Sequence, residues 1–305
     1  MTTSTSTFTT RDLLSALLVV IIWGTNFVAM KIGLLALTPF QMGAARYVFA
    51  ILPLIFFVRP PRLAPKWVIA YGLSQGVGQF GLLFLSLKVG MSASLASVIL
   101  QTQVFFTAIF SFMLLKEHTS RALIAGLLLA ALGLGCFAMS SLQAGHANDI
   151  TPAGFVLCLA GAAMWAVSNI VVRRAQKAMP DFDVISFIVW CGAVPIVPFV
   201  LLSLAFDDPA TRWHWTGAPF ITWVAVAYIG WISTIAGYAM WTRLLKRYPV
   251  NRVAPFSLGV PVVGIASGML MLGDTIGAWQ WGGVGFIVAA LVCTMFGGRW
   301  LDRKA

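Results

Sequence analysis

Ten apolar stretches run through this chain, at 13–34, 39–58, 67–88, 92–115, 121–141, 152–173, 183–205, 218–245, 251–272 and 278–297. A helix rising about 1.5 Å per residue needs about 20 such residues to cross the hydrocarbon of a bilayer. Lipid offers no water to backbone N–H and C=O groups, so these stretches must pair them internally, and the helix does this. Only 10% of the residues are charged, whereas soluble domains carry about 25%. The expected fold class is an all-α polytopic membrane protein with ten transmembrane helices.

The fourth stretch, extended to 94–117, has a faint copy 157 residues later at 251–274. Both copies open on small or polar residues, pass through aromatic and branched ones, and close a Met/Leu run with an acid, Glu117 or Asp274. The same spacing pairs Gly126 with Gly283. Nearer the N-terminus a spacing of 142 pairs Trp23 with Trp165, Lys31 with Arg173 and Pro53 with Pro195, and extra loop residues near 207–215 account for the change. A collinear set of this kind marks a tandem duplication. Five helices per copy is odd, so the second copy enters the membrane from the opposite side. Two inverted five-helix repeats are expected, an architecture used by transporters. The domains expected are an N-terminal tail at 1–12, repeats at 13–145 and 146–297, and a C-terminal tail at 298–305.

A net charge of +11 raises the question of a nucleic-acid partner, yet the basic residues lie in short loops rather than in a basic domain. If the N-terminus is cytoplasmic, every Lys and Arg except Lys31, Arg46, Lys88 and Arg212 falls on the cytoplasmic side. That asymmetry predicts cytoplasmic termini and names the lipid bilayer as the partner. The apolar run after Arg11 is too long for a signal-peptide core and is expected to stay as the first helix. Cys136, Cys158, Cys191 and Cys293 stand singly in apolar runs and are expected to pack, without disulfide or zinc spacing. His118, His146 and His214 are in loops, and no Asp or Glu lies in the middle third of a span. An intramembrane enzyme would need such groups at depth, so no catalytic residue, metal site or cofactor is expected.

Interior chemistry then falls to uncharged polar and aromatic side chains. Trp23, Asn26, Met30 and Gly33 share one helical face of the first span, and Trp165, Ser168, Asn169 and Val172 repeat the arrangement on the sixth. Each stripe is either a cavity wall or an interhelical hydrogen-bonding seam. Gly72, Gln75, Gly76 and Gln79 form a comparable face on the third span, and Thr234, Gly237, Tyr238 and Trp241 on the eighth. The fourth span offers Ser94, Ser97 and Gln101; Gln103, about 200° from Gln101 on an ideal helix, is expected to face elsewhere. In the ninth, Pro255 and Pro261 flank Ser257. Each proline removes a donor and frees a carbonyl, which either neighbouring helices or a substrate ammonium would meet. Pro53 and Pro195 are expected to give paired bends. Arg46 is expected to snorkel to the outer interface, the alternative being a substrate carboxylate.

The residues Trp23-Gly-Thr-Asn-Phe27, Leu95-Ala-Ser with Leu100-Gln101 and Gln103, Trp165 with Asn169, Gly237-Tyr238 with Trp241, and the run from Arg252 through Pro255, Ser257 and Pro261 to Gly264 carry a resemblance. Across essentially the whole chain the sequence resembles the EamA group of the drug/metabolite transporter superfamily, and within it the bacterial inner-membrane exporters of cysteine and O-acetylserine. The resemblance implies that helices one, three, four, six, eight and nine line a central cavity while five and ten sit at the periphery.

The expected function is export of amino acids and related small metabolites across the inner membrane by alternating access. Its expected substrate-binding residues are Trp23, Asn26, Gln75, Gln79, Ser97, Gln101, Trp165, Asn169, Tyr238, Trp241 and Ser257, with Pro53, Pro195, Pro255 and Pro261 as hinges. The alternatives are export of amphipathic or aromatic compounds, suggested by 12 Trp and 22 Phe, and an intramembrane enzyme.

Overall fold

A computed structural model describes residues 9–115, 120–142, 150–180, 182–248 and 250–296. Glu117, His118, His146, the expected repeat boundary at 145/146 and most of both tails lie outside the described residues. The described residues form helices and no strand. Ten helical spans follow in order: α1 Thr10–Gly33, α2 Pro39–Ile51, α3 Pro65–Lys88, α4 Ala93–Leu114, α5 Arg121–Leu142, α6 Pro152–Ala178, α7 Val184–Phe206, α8 Phe220–Leu245, α9 Ala254–Leu272 and α10 Ala278–Phe296. Among the described residues all but α2 are long and apolar enough to cross a membrane.

The helix starts are written in the sequence. Thr9, Thr38, Ser92, Thr151 and Asp183 each accept a backbone N–H of the following turn, and Pro39 and Pro152 stand where the first-turn N–H has no partner to lose. The expected second span, 39–58, is shorter than its hydropathy suggests. Pro53 cannot donate and disfavours helical backbone at Leu52, which is extended at φ −86° and ψ 135°. The helix therefore ends at Ile51, and a single 3₁₀ turn, Leu54–Phe56, follows. Pro195 also lacks a donor and divides α7 into Val184–Ala193 and Ile196–Phe206, but Val194 before it keeps helical dihedrals, φ −61° and ψ −44°, so the span continues through the break.

Departures from α geometry recur at the repeat spacing. In α3 the chain winds as a π-helix over Gly72–Gly81, and in α8 over Tyr228–Ala236. A 3₁₀ turn interrupts α4 at Leu100–Thr102, and another opens α9 at Ala254–Leu258. A shift of 157 residues superposes both pairs to within a few positions. π-Helices account for well under about 1% of residues in ordinary proteins, so their coincidence carries the duplication into the backbone itself.

Close helix contacts rest on glycine. A Cβ at Gly24 in α1 would sit 2.5 Å from Val263 Cβ in α9, and one at Gly76 in α3 would sit 2.0 Å from the Pro195 ring. α5 packs chiefly on α10, where Gly126 lies against Thr294 and Gly283 against the Phe137 ring. The two glycines paired by the repeat thus serve one seam.

Candidate functional site: a central cavity

Between the helices lies a cavity of about 300 Å³. Its wall takes residues from α1, α3, α4, α6, α8 and α9, the six helices expected, and adds Arg46 of α2 and Leu291 and Met295 of α10.

α1 contributes Trp23, Asn26 and Met30 along a single face. The Trp23 indole Nε1 donates to the Ser233 carbonyl at 3.1 Å, and its ring lies 5.3 Å from Tyr238 and 5.4 Å from Trp241. Such close approach needs Gly237, where a Cβ would come within 2.6 Å of Trp23 Nε1. Asn26 is buried, with its Nδ2 4.0 Å from the Met30 sulfur and its Oδ1 without a hydrogen-bond partner among the described residues. A buried amide oxygen left so is costly in lipid unless water or a ligand meets it.

α6 contributes Trp165 and Asn169. Asn169 Nδ2 donates to Gln103 Oε1 at 2.9 Å and to Thr107 Oγ1 at 3.1 Å. Gln103 lines the cavity together with Gln101, against expectation. The 3₁₀ turn is the reason, because about 120° of rotation per residue leaves the two side chains about 120° apart instead of opposed. Gln101 Nε2 donates to the Ser257 carbonyl at 3.3 Å. That carbonyl is the one Pro261, four residues on, cannot bond. The Ser257 hydroxyl meanwhile donates to Ala254 O at 2.7 Å, so protein groups occupy these α9 carbonyls.

Nine of the eleven expected binding residues meet at this cavity; Gln75 and Ser97 do not line it. Gln75 is not in the wall; it accepts from the Ser168 hydroxyl and donates to Oε1 of Gln79, which is in it. Ser97 is consumed by packing. Its side chain occupies the space over Gly264, where a Cβ would lie 2.3 Å from Ser97 Oγ, and its hydroxyl donates to Ser94 O. Gly72 and Gly76 are likewise a seam, against Val194 and Pro195 of α7. Pro255 is the second residue of the 3₁₀ turn that opens α9, and Pro261 the third of the α-helical piece that follows, so the freed Ser257 carbonyl is met by Gln101.

Arg46 does not snorkel. It is 2% exposed and stays in the wall, its guanidinium 3.7 Å from the Phe80 ring centre and its Nη2 donating to Thr234 Oγ1 at 3.1 Å. Its contacts with Phe80 and Thr234 hold it among the helices instead.

Apolar helices long enough to cross a bilayer, packed around a cavity with polar groups in its wall, define a multi-pass membrane protein. The model of the EamA-like transporter family matches residues 11–139 and again 152–296. The chain belongs to the EamA-like transporter family. It is 39% identical over 291 residues to a probable amino-acid metabolite efflux pump of Salmonella typhimurium, covering 95% of this chain and 96% of that one. A probable amino-acid metabolite efflux pump of Escherichia coli is 37% identical over 296 residues, 97% of each. Among solved structures, a crystal structure of a protein 18% identical aligns with a TM-score of 0.61 over 95% of this chain and 99% of its own, a likeness of fold.

Proposed function

We propose that this protein exports amino acids and closely related metabolites, cysteine- and O-acetylserine-like compounds among them, across the inner membrane. The observation that carries the proposal is the cavity wall itself, in which amides and indoles from both repeats converge. About 300 Å³ is the small end of the range of ligand pockets, which suits a single amino acid better than a bulky drug. An ammonium would rest against an indole face, an interaction of about 0.5–2 kcal/mol depending on desolvation. The amide N–H groups would meet polar substrate atoms, each neutral hydrogen bond contributing about 1 kcal/mol net. The relatives' names agree with this reading.

The proposed arrangement is two inverted repeats with both termini in the cytoplasm, alternating access by flexing at the Pro53 and Pro195 breaks. The excess of Lys and Arg in the loops this orientation places inside supports it, and the cations it leaves outside have local partners. Lys31 Nζ donates to Leu87 O and Met91 O, Lys88 Nζ to Leu34 O, and Arg212 Nη2 to Leu204 O. Each neutralises carbonyls at the C-terminal end of α3, α1 or α7, the ends that would face outward. Expression in a strain inhibited by excess cysteine and other amino acids tests the function. Tolerance and external amino acid should both rise, and no change across a broad amino-acid panel would refute it.

A further inference from the structure

The guanidinium of Arg46 is held in place but not satisfied. Phe80 lies against it and Tyr47 lies 5.9 Å away, while the Thr234 hydroxyl, itself donating to Ile229 O at 2.8 Å, turns a lone pair towards Nη2. The Ile229 contact spans five residues within the π-helical turn of α8, so this backbone departure fixes the residue that orients Arg46. Nε and Nη1 are buried without a partner among the described residues.

Among the described residues no counter-charge offsets this cation. The described acids sit at helix ends or in loops and have other partners: Asp12 pairs with Arg247 and Tyr248, Asp183 caps α7, Asp207 accepts from Thr38 and Ser203, Asp208 from Ala210 N, and Asp274 from Ser94. A charge at depth in a membrane protein, unpaired and with unused donors, marks a place where an opposite charge arrives. Arg46 is on the wall of the central cavity.

We infer that Arg46 receives a carboxylate, and that the substrate must carry one that is free and ionised. The inference rests on the exporter reading and deepens it: the carboxylate goes to Arg46, and the ammonium goes to the uncharged side, where Asn26 Oδ1 lacks a donor. The two unsatisfied groups are of opposite hydrogen-bonding sense, as a zwitterion requires. Phe80 and Thr234 are positioning residues. Arginine suits the task because its charge is permanent and its donors are rigidly arrayed, which a lysine ammonium would not reproduce.

The test uses the purified full-length protein in detergent, with its melting temperature followed against each proteinogenic L-amino acid and the corresponding L-amino-acid amide. The free acids should stabilise the wild type and the amides should not. Arg46→Gln should bind the stabilising acids about 10- to 100-fold more weakly, the loss expected for charge-assisted hydrogen bonds, and Arg46→Lys should fall between. If Arg46→Gln does not fold, the acid and amide pairs on the wild type, together with Arg46→Lys, still decide. Equal stabilisation by acids and amides overturns the Arg46 inference and leaves the exporter reading in place. Acids that bind through Arg46 but are not exported uphold the inference and overturn the exporter reading. Stabilisation by no free acid overturns the inference.

Discussion

Asn169 in the second repeat donates to Gln103 in the first, at 2.9 Å, on the wall of the cavity. The bond fixes the amide of each side chain, since Gln103 Oε1 is taken and its N–H groups remain free to donate. Asn169→Ala should release Gln103 and remove one polar contact. Transport affinity should fall about tenfold, the factor that 1.4 kcal/mol represents, with normal membrane levels. A radiolabelled uptake assay in inverted vesicles reads this as a raised KM.

Trp23 couples α1 to the π-helical turn of α8 through Ser233 O. Trp23→Phe keeps an aromatic ring near Tyr238 and Trp241 but loses the donor, and should cost about 1 kcal/mol of stability. Trp23→Ala also loses the ring, and about 3–5 kcal/mol with it. Thermal unfolding of the purified variants should rank them in that order. Equal melting temperatures would show that the bond contributes nothing.

Gly76 faces the ring of Pro195, and a methyl group there would lie 2.0 Å from Cγ of a ring that cannot rotate away. Gly76→Ala should therefore destabilise by about 3 kcal/mol or more and abolish well-behaved protein. Gly135→Ala meets nothing within 4 Å and should behave as wild type. Fluorescence-detected size-exclusion profiles of the two variants provide the comparison, with Cys293→Ala, whose thiol has only a 3.6 Å contact to Ala122 O, as a further neutral control.

Pro53 and Pro195 interrupt their helices at positions matched by the repeat. If flexing at these breaks alternates access, replacing both with Ala should slow turnover while leaving KM near the wild-type value. The Pro195 ring also fills the space over Gly76, so Pro195→Ala alone should lower the melting temperature modestly. A double variant with unchanged turnover would reduce both prolines to packing.

The wall of the cavity was legible where helical periodicity governs it. Trp23, Asn26 and Met30 share a face because their stretch of α1 is regular, and Trp165 and Asn169 follow for the same reason. Gln103 was hidden because a 3₁₀ turn leaves no signature in hydropathy, and the rotation of later residues depends on it. Ser97 carried the right chemistry and spacing, but the lack of a side chain at Gly264, 167 residues away, decided its surroundings. Arg46 was conspicuous as a charge within a span. Its destination was not, because snorkelling and burial begin from the same sequence and differ only in the depth and packing of α2. The early end of α2 at Ile51 was not read from the sequence, which placed the span at 39–58 with a bend at Pro53, because the apolar run continues past the proline that ends the helix.

The central claim is amino-acid export through this cavity, and reconstitution tests it most directly. Proteoliposomes loaded with a mixture of amino acids, with and without an imposed pH gradient, should release a subset of them saturably, and Trp165→Ala and Asn26→Ala should each slow that release at equal protein content. Release indistinguishable from protein-free liposomes for every amino acid, under every gradient, would contradict the account.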